Sequence, residues 1–154
     1  MTSEREITAI HEAGHCLVAE RLGYRVKKAW INPEDNELGE YSMSCLSRLK
    51  KVMSCFSNPE EFAMTAISGN ITQKYFFPDS KILPADDRQL NEIIKSRSNV
   101  WLRHIDIDKA ENALRKILSD NRNITAIKEI AQILCNEGSI TGQKVREIIA
   151  RIDA

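Results

Sequence analysis

The sequence I-H-E-A-G-H-C at residues 10–16 decides how the rest of the chain is interpreted. It contains the pattern H-E-x-x-H, in which two histidines are four residues apart. On an α-helix such residues lie one turn apart on the same face, so both imidazoles could reach one metal ion. The glutamate between them is close enough to act on a metal-bound water without ligating the metal. The pattern predicts a zinc site with His11 and His15 as ligands and Glu12 as the catalytic base.

The residues around this motif have the pattern of a buried helix over residues 3–22. Ser3 can cap its N-terminus, and Glu6, three residues later, would complete a capping box. Gly23 stands where many helices end. At about 100° per residue, the stripe that contains both histidines also contains apolar or small residues. These are Ile7, Gly14, Val18 and Leu22. We therefore expect both imidazoles to point into the protein interior.

Length and composition predict one globular domain over residues 1–154. The chain is 42% hydrophobic and 29% charged, as ordinary globular proteins are. Lys+Arg and Asp+Glu both number 22, and zero net charge argues against charge-driven binding of nucleic acid or a membrane surface. No apolar run reaches the ~18 residues of a membrane helix, and the polar N-terminus does not have the pattern of a signal peptide. We expect a cytoplasmic protein without a membrane span.

The cysteines predict the same compartment. Cys16, Cys45, Cys55 and Cys135 have no C-x-x-C spacing. Cys16 lies within the motif helix and Cys135 follows an apolar run, which favours reduced, mostly buried thiols over a cysteine zinc site.

The fold class is predicted to be mainly α: a helical zincin-type bundle with one small β ribbon after the H-E-x-x-H helix. The two strands of the ribbon are expected at residues 26–31 and 38–44. Gly69 lies in the middle of a predicted helix, where it is expected to permit a close approach to another helix. The helices expected after the ribbon are 58–77, one beginning at Pro84, 109–118 with Asp108 as its cap, 123–136 ended by Gly138, and one beginning at Thr141.

A catalytic zinc ion usually has three protein ligands, so a third one is expected. A metzincin would need glycine three residues and histidine six residues after the second histidine, but Val18 and Arg21 stand there. A thermolysin-like site would take a glutamate from a later helix. The candidates that remain open are Glu60, Glu61, His104, Asp86 and Asp87.

Four stretches of the chain, in order, resemble the peptidase domain of the FtsH family of membrane AAA proteases. The zinc helix of that family reads H-E-A-G-H, as residues 11–15 do. The sequence E-L-G-E-Y at 37–41 resembles its A-L-G-Y segment, and A-I-S-G-N at 66–70 falls where the family has a helix with G-G-R-A-A-E. Residues 133–149 resemble its closing L-L-E-K-E-T-L-x-G-x-E-I-x-x-I segment. The resemblance spans most of the chain and implies a zinc metalloendopeptidase.

The resemblance also implies which residue is the third zinc ligand. In the family it is an aspartate that opens a helix, followed by apolar residues four, seven and eight positions later. Counted from Asp86 these positions are Leu90, Ile93 and Ile94, whereas counting from Asp87 gives a poorer fit. Asp86 is therefore the expected ligand and Asp87 the second choice. The alternative is that both only cap a helix N-terminus.

The chain departs from the family in several places. The acid of the G-G-R-A-A-E helix is replaced by Thr72, Gln73 or Lys74, and Leu-Pro-Ala stands before Asp86 in place of G-A. Nothing in the sequence resembles a Gly-rich phosphate-binding loop, and membrane helices are absent. We therefore expect a stand-alone, ATP-independent peptidase that acts on peptides or unfolded proteins. A separate unfoldase or adaptor is a candidate partner.

The position of the substrate and the alternative functions complete the expectations. The substrate is expected to add a strand along the edge of residues 26–31. One alternative is a catalytically inactive, peptidase-like interaction or regulatory module with a structural metal site. Another is a DNA-binding helix-turn-helix at the C-terminus, but the charges of the last helix favour a plain helical hairpin.

Overall fold

The structure is a computed structural model that describes residues 3–31, 39–43, 59–81 and 106–154. Within these ranges the chain forms five helices and a small antiparallel sheet, which confirms the mainly helical fold class and the ribbon. The predicted helix that begins at Pro84 lies outside the described residues. In chain order the elements are α1 (Glu4–Arg21), β1 (Val26–Ile31), β2 (Gly39–Met43), α2 (Pro59–Phe76), α3 (Ile107–Leu118), α4 (Asn121–Glu137), β3 (Ser139–Thr141) and α5 (Gly142–Asp153).

Both ends of α1 lie within one residue of the predicted range. The Ser3 hydroxyl accepts a hydrogen bond from the Glu6 backbone N–H at 3.1 Å, which confirms the predicted cap. After the helix, Gly23 adopts a φ of 89°, a left-handed conformation that costs glycine little. In this conformation the Tyr24 N–H reaches back to the Ala19 carbonyl oxygen at 2.9 Å. The turn thus satisfies a carbonyl that the helix end would leave without a partner.

α1 is the central element of the fold. Its residues from Thr8 to Ala19 are buried without interruption, although the sequence predicted only one buried stripe. The reason is that α2 and α4 both pack against α1, and β1 and β2 contact it as well. Several residues of α1 are alanine or glycine, and their small size lets the neighbouring elements pack close to the helix. Among the described helices, the motif is therefore carried by one that neighbours enclose on several sides.

The sheet has three strands in the order β2-β1-β3, all antiparallel. β1 pairs with β2 from Val26 opposite Met43 to Ile31 opposite Gly39, as the predicted ribbon requires. Its other edge pairs with β3, where Ala29 lies opposite Ile140. β3 was not predicted. Because both edges of β1 are occupied, the prediction that a substrate adds a strand along residues 26–31 is wrong.

The C-terminal helices are capped by short polar side chains. Asp106 caps α3 by accepting a hydrogen bond from the Lys109 N–H at 3.1 Å, so the prediction of Asp108 as the cap is wrong. Gly138 ends α4 with a φ of 80°, and Thr141 caps α5, both as predicted. Because β3 between these helices belongs to the sheet, α4 and α5 form a hairpin that packs on the core. This arrangement supports the hairpin interpretation over a DNA-binding motif.

The described cysteines are free thiols, and Cys16 is buried as predicted. Burial raises the pKa of the Cys16 thiol well above its usual value, and the negative charges of Glu12 and Glu20 raise it further. Cys135 is half-buried, and its pKa is raised mainly by burial. Both thiols therefore stay protonated near neutral pH. Cys45 and Cys55 lie outside the described residues.

The hydrophobic core is formed by buried side chains of α1, α2, α3 and α4, together with the sheet and α5. Its largest fully buried apolar side chains include Leu17, Leu114, Ile127, Ile130 and Leu134. None of the helices in the described ranges is long and apolar enough to span a lipid bilayer.

Candidate metal centre

The motif side chains of α1 face the protein interior, as the helical pattern predicted. His11 is 1% exposed, and Glu12 and His15 are each 2% exposed. The two imidazole centroids are 5.0 Å apart, and their planes meet at 75°. Because these side chains are removed from bulk water, protein groups must orient them. Those groups lie on α2, which packs along this face of α1.

The orientation of His15 is set by the backbone and a hydroxyl of α2. Its Nδ1 lies 3.0 Å from the Thr65 carbonyl oxygen and 2.9 Å from the Ser68 hydroxyl. That hydroxyl donates its own hydrogen to the same carbonyl oxygen at 2.8 Å. A carbonyl oxygen only accepts, so the proton of this contact belongs to His15 Nδ1. In the neutral ring the lone pair is then on Nε2, which is the form that a metal ion needs.

The orientation of His11 is set by the Gln73 side chain of α2. Its Oε1 lies 3.1 Å from His11 Nδ1, and the whole side chain is buried. Of the three residues that could replace the acid of the FtsH helix, the structure therefore places Gln73 against a motif histidine. Thr72 contacts α1 near Gly14, and Lys74 extends to the turn after α2. A neutral amide thus lies beside His11 Nδ1.

Gly69 of α2 lies against the other nitrogen of both rings. A Cβ added at this glycine would fall 2.4 Å from His11 Nε2 and 2.5 Å from His15 Nε2. Both nitrogens therefore lie close to one another and face the backbone of Gly69. The close approach of helices that Gly69 predicted is confirmed, and it takes place at the motif. Any larger residue here would occupy the space in front of the two nitrogens.

The chain matches no protein-family model and no curated protein. The resemblance to the FtsH peptidase domain therefore stays a prediction. What this centre can do has to be inferred from its own residues.

The two glutamates considered for a thermolysin-like site are not brought to the histidines. Glu60 forms an ion pair with Lys109 at 3.3 Å, and Glu61 accepts a hydrogen bond from the Tyr24 hydroxyl. In the part of the chain that the structure describes, no three His, Cys, Asp or Glu side chains form a group that could hold a metal ion. Both glutamates thus have partners on other parts of the fold. Asp86, Asp87 and His104 lie outside the described residues.

Sequence reasoning did not find the groups that orient the two rings. They are the Thr65 backbone carbonyl and the side chains of Ser68 and Gln73, all on α2. A signal was present, because several of the residues that α2 buries are polar: Thr65, Ser68, Asn70, Thr72 and Gln73. A polar stripe on a helix that also carries Ile67 and Ala63 in the core indicates a partner with polar groups of its own.

Exchange of each aspartate for alanine should identify the third ligand. We expect Asp86→Ala to lower zinc affinity by more than about 100-fold, because even the loss of a group behind a ligand costs 10–100-fold. Asp87→Ala is the matched control and should retain zinc. Metal content after dialysis, measured by mass spectrometry, gives the answer. Full zinc retention by the Asp86 variant would remove that residue from the site.

Proposed function

We propose that this protein is a zinc metalloendopeptidase of the helical zincin type that cleaves peptides or unfolded proteins. The observation that carries the proposal is the convergence of His11 Nε2 and His15 Nε2 on Gly69. Zinc accepts neutral imidazole nitrogen readily, and two such donors on one rigid helix suit it. The donor atoms suit a zinc ion, and both of them face the same side of the site, at the backbone of Gly69. Buried beside them, Glu12 supplies the base that hydrolysis requires.

The proposed mechanism assigns one task to each residue. His11, His15 and, by the resemblance, Asp86 would hold the ion. Bound there, zinc would lower the pKa of a water molecule and polarise the peptide carbonyl. Glu12 would accept a proton from the water that attacks the carbonyl carbon, and would later donate it to the leaving amine. Thr65 and Gln73 hold the rings in place through their contacts with the two Nδ1 atoms.

The substrate is proposed to bind along β2, because β1 has partner strands on both sides. In the described sheet β2 is an edge strand, and an extended peptide could pair with its outer side. Hydrogen bonds to the peptide backbone are independent of side chains, which supports broad cleavage of extended chains. A folded protein does not present such a strand. Peptides and unfolded segments are therefore the proposed substrates, delivered in some cases by a separate unfoldase or adaptor.

Two features support the proposed setting of this activity. The sequence contains no Gly-rich phosphate-binding loop, so hydrolysis is proposed to proceed without ATP. The described cysteines are free thiols, which suits a reducing compartment such as the cytoplasm.

Removal and return of the metal tests the proposed function. The zinc-loaded protein is expected to cleave unfolded casein, the chelated protein to lose at least about 99% of this activity, and one equivalent of zinc to restore it. Magnesium is the control ion, because it prefers oxygen ligands and should restore nothing. Cleavage that survives chelation would contradict the proposal. Stoichiometric zinc without any cleavage would instead favour the inactive interaction module.

A further inference from the structure

The Gln73 amide connects His11 to the turn that follows α2. Its Oε1 lies 3.1 Å from His11 Nδ1. Its Nε2 lies 2.9 Å from the Ser80 hydroxyl and 2.5 Å from the Lys81 carbonyl oxygen. The oxygen and both hydrogens of the amide group are therefore used, although the side chain is completely buried. A glutamine with its hydrogen-bonding groups satisfied in this way holds two parts of the chain at once.

The neighbours of Gln73 determine which way its amide points. The Lys81 carbonyl oxygen can only accept, so the NH₂ end of the amide must face it. The Ser80 hydroxyl donates its hydrogen to the Phe77 carbonyl oxygen at 2.7 Å, which leaves its oxygen as an acceptor as well. The oxygen of the amide must then face His11. His11 Nδ1 consequently carries a proton, and the lone pair of the neutral ring is on Nε2.

We propose that Gln73 is a positioning residue that sets the tautomer of His11 and ties this ring to the turn formed by residues 77–81. The tautomer it selects turns the lone pair of Nε2 towards the space at Gly69. One amide therefore orients a proposed metal ligand and holds the turn after α2. The effect on zinc rests on the proposed function, whereas the tautomer does not.

The residue type at position 73 matters because one contact needs an acceptor and the other needs a donor. His11 Nδ1 requires an acceptor, and the Lys81 carbonyl oxygen requires a donor. A glutamate could accept from His11 but would place a second oxygen 2.5 Å from the Lys81 carbonyl oxygen. A leucine of similar size could make neither contact. The neighbouring Lys74 donates through Nζ to the Pro78 and Ser80 carbonyl oxygens, so it holds the same turn without touching His11. Variants at positions 73 and 74 can therefore change the tautomer of His11 and the turn at residues 77–81 separately.

Long-range ¹H–¹⁵N NMR of the metal-free protein reports which imidazole nitrogen carries the proton, and amide exchange at Ser80 reports the turn. The unaltered chain should show His11 with the proton on Nδ1. Gln73→Leu should populate the form with the proton on Nε2 and speed Ser80 exchange about fivefold to tenfold, as the loss of one hydrogen bond predicts. Gln73→Glu should keep the Nδ1 proton but speed exchange. Lys74→Met is the control and should also affect only the turn.

A Gln73→Leu variant whose His11 keeps the proton wholly on Nδ1 would overturn the claim about the tautomer. Should that variant fail to fold, unchanged Ser80 exchange in Gln73→Glu would overturn the tie to the turn. Zinc affinity provides a third readout, with an expected loss of 10–100-fold for Gln73→Leu. If the unaltered chain binds no zinc, the proposed function fails, while the tautomer measurement still decides the role of Gln73.

Discussion

Glu12→Gln is expected to lower the rate of casein cleavage by about 10²–10⁴-fold while zinc stays bound. Glutamine has the size and shape of glutamate, so the packing of this buried position should be kept. Its amide cannot accept a proton from water. The attack of water on the peptide carbonyl should therefore be slow. Zinc affinity should change little, because Glu12 is not among the proposed ligands, which are His11, His15 and Asp86. The comparison needs initial rates together with metal content for both proteins.

Glu6→Gln is the matched control for this experiment. Glu6 lies on the same helix, but it is exposed and contacts the cap at Ser3. Its replacement should leave the rate of cleavage unchanged. Equal turnover by the Glu12 variant and the unaltered protein would contradict the assigned base. A parallel loss of zinc and activity would show instead that Glu12 is part of the metal site.

Gly69→Ala is expected to lower zinc affinity by about 100-fold or more, although alanine is the better helix former. The added methyl group would lie 2.4 Å and 2.5 Å from the two Nε2 atoms, well inside van der Waals distance. The rings cannot simply turn away, because hydrogen bonds hold both Nδ1 atoms. Zinc–nitrogen distances tolerate displacements of only about 0.2 Å. Titration with zinc in the presence of a competing chelator measures the change.

The free energy of unfolding of the Gly69→Ala variant should change much less than its free energy of zinc binding. Alanine gains about 1 kcal/mol of helix propensity over glycine, and overpacking costs about 1–3 kcal/mol, so the two effects partly cancel. Gly23→Ala is the control for general destabilisation. Its methyl group would meet no atom within 4 Å, but the φ of 89° costs about 1–2 kcal/mol. Equal zinc affinities of the two alanine variants would mean that the space at Gly69 is unrelated to metal binding.

The parts of the site that lie close together in sequence could be predicted. Helical spacing alone places His11, Glu12 and His15 on one buried helix, and Ser3 and Gly23 mark its ends. The glycine at 69 predicted a close approach between helices for a reason that does not depend on its partner. In each case the prediction depends only on the type of one residue and on its neighbours in the sequence.

The contacts between helices could not be predicted in the same way. Thr72, Gln73 and Lys74 are consecutive, and the rotation of α2 about its axis decides which of them meets His11. That rotation is set by packing against α1, where Thr72 also meets Gly14. The strand β3 was missed because its three residues are too few for a periodic pattern, and its partner in β1 is remote in sequence. The cap of α3 was misplaced because both Asp106 and Asp108 are capping residues.

The pairing of β1 with β3 has a consequence for how the protein is made. A ribosome adds roughly 5–20 residues per second, so β1 would wait on the order of 10 s for the strand that closes its second edge. α2, which covers the histidine face of α1, is synthesised well before α4, which covers another part of it. The nascent chain would thus bring the two imidazoles and Gly69 together while one side of α1 and one edge of β1 are still open. In that interval the open edge of β1 would be exposed to pairing with other polypeptides.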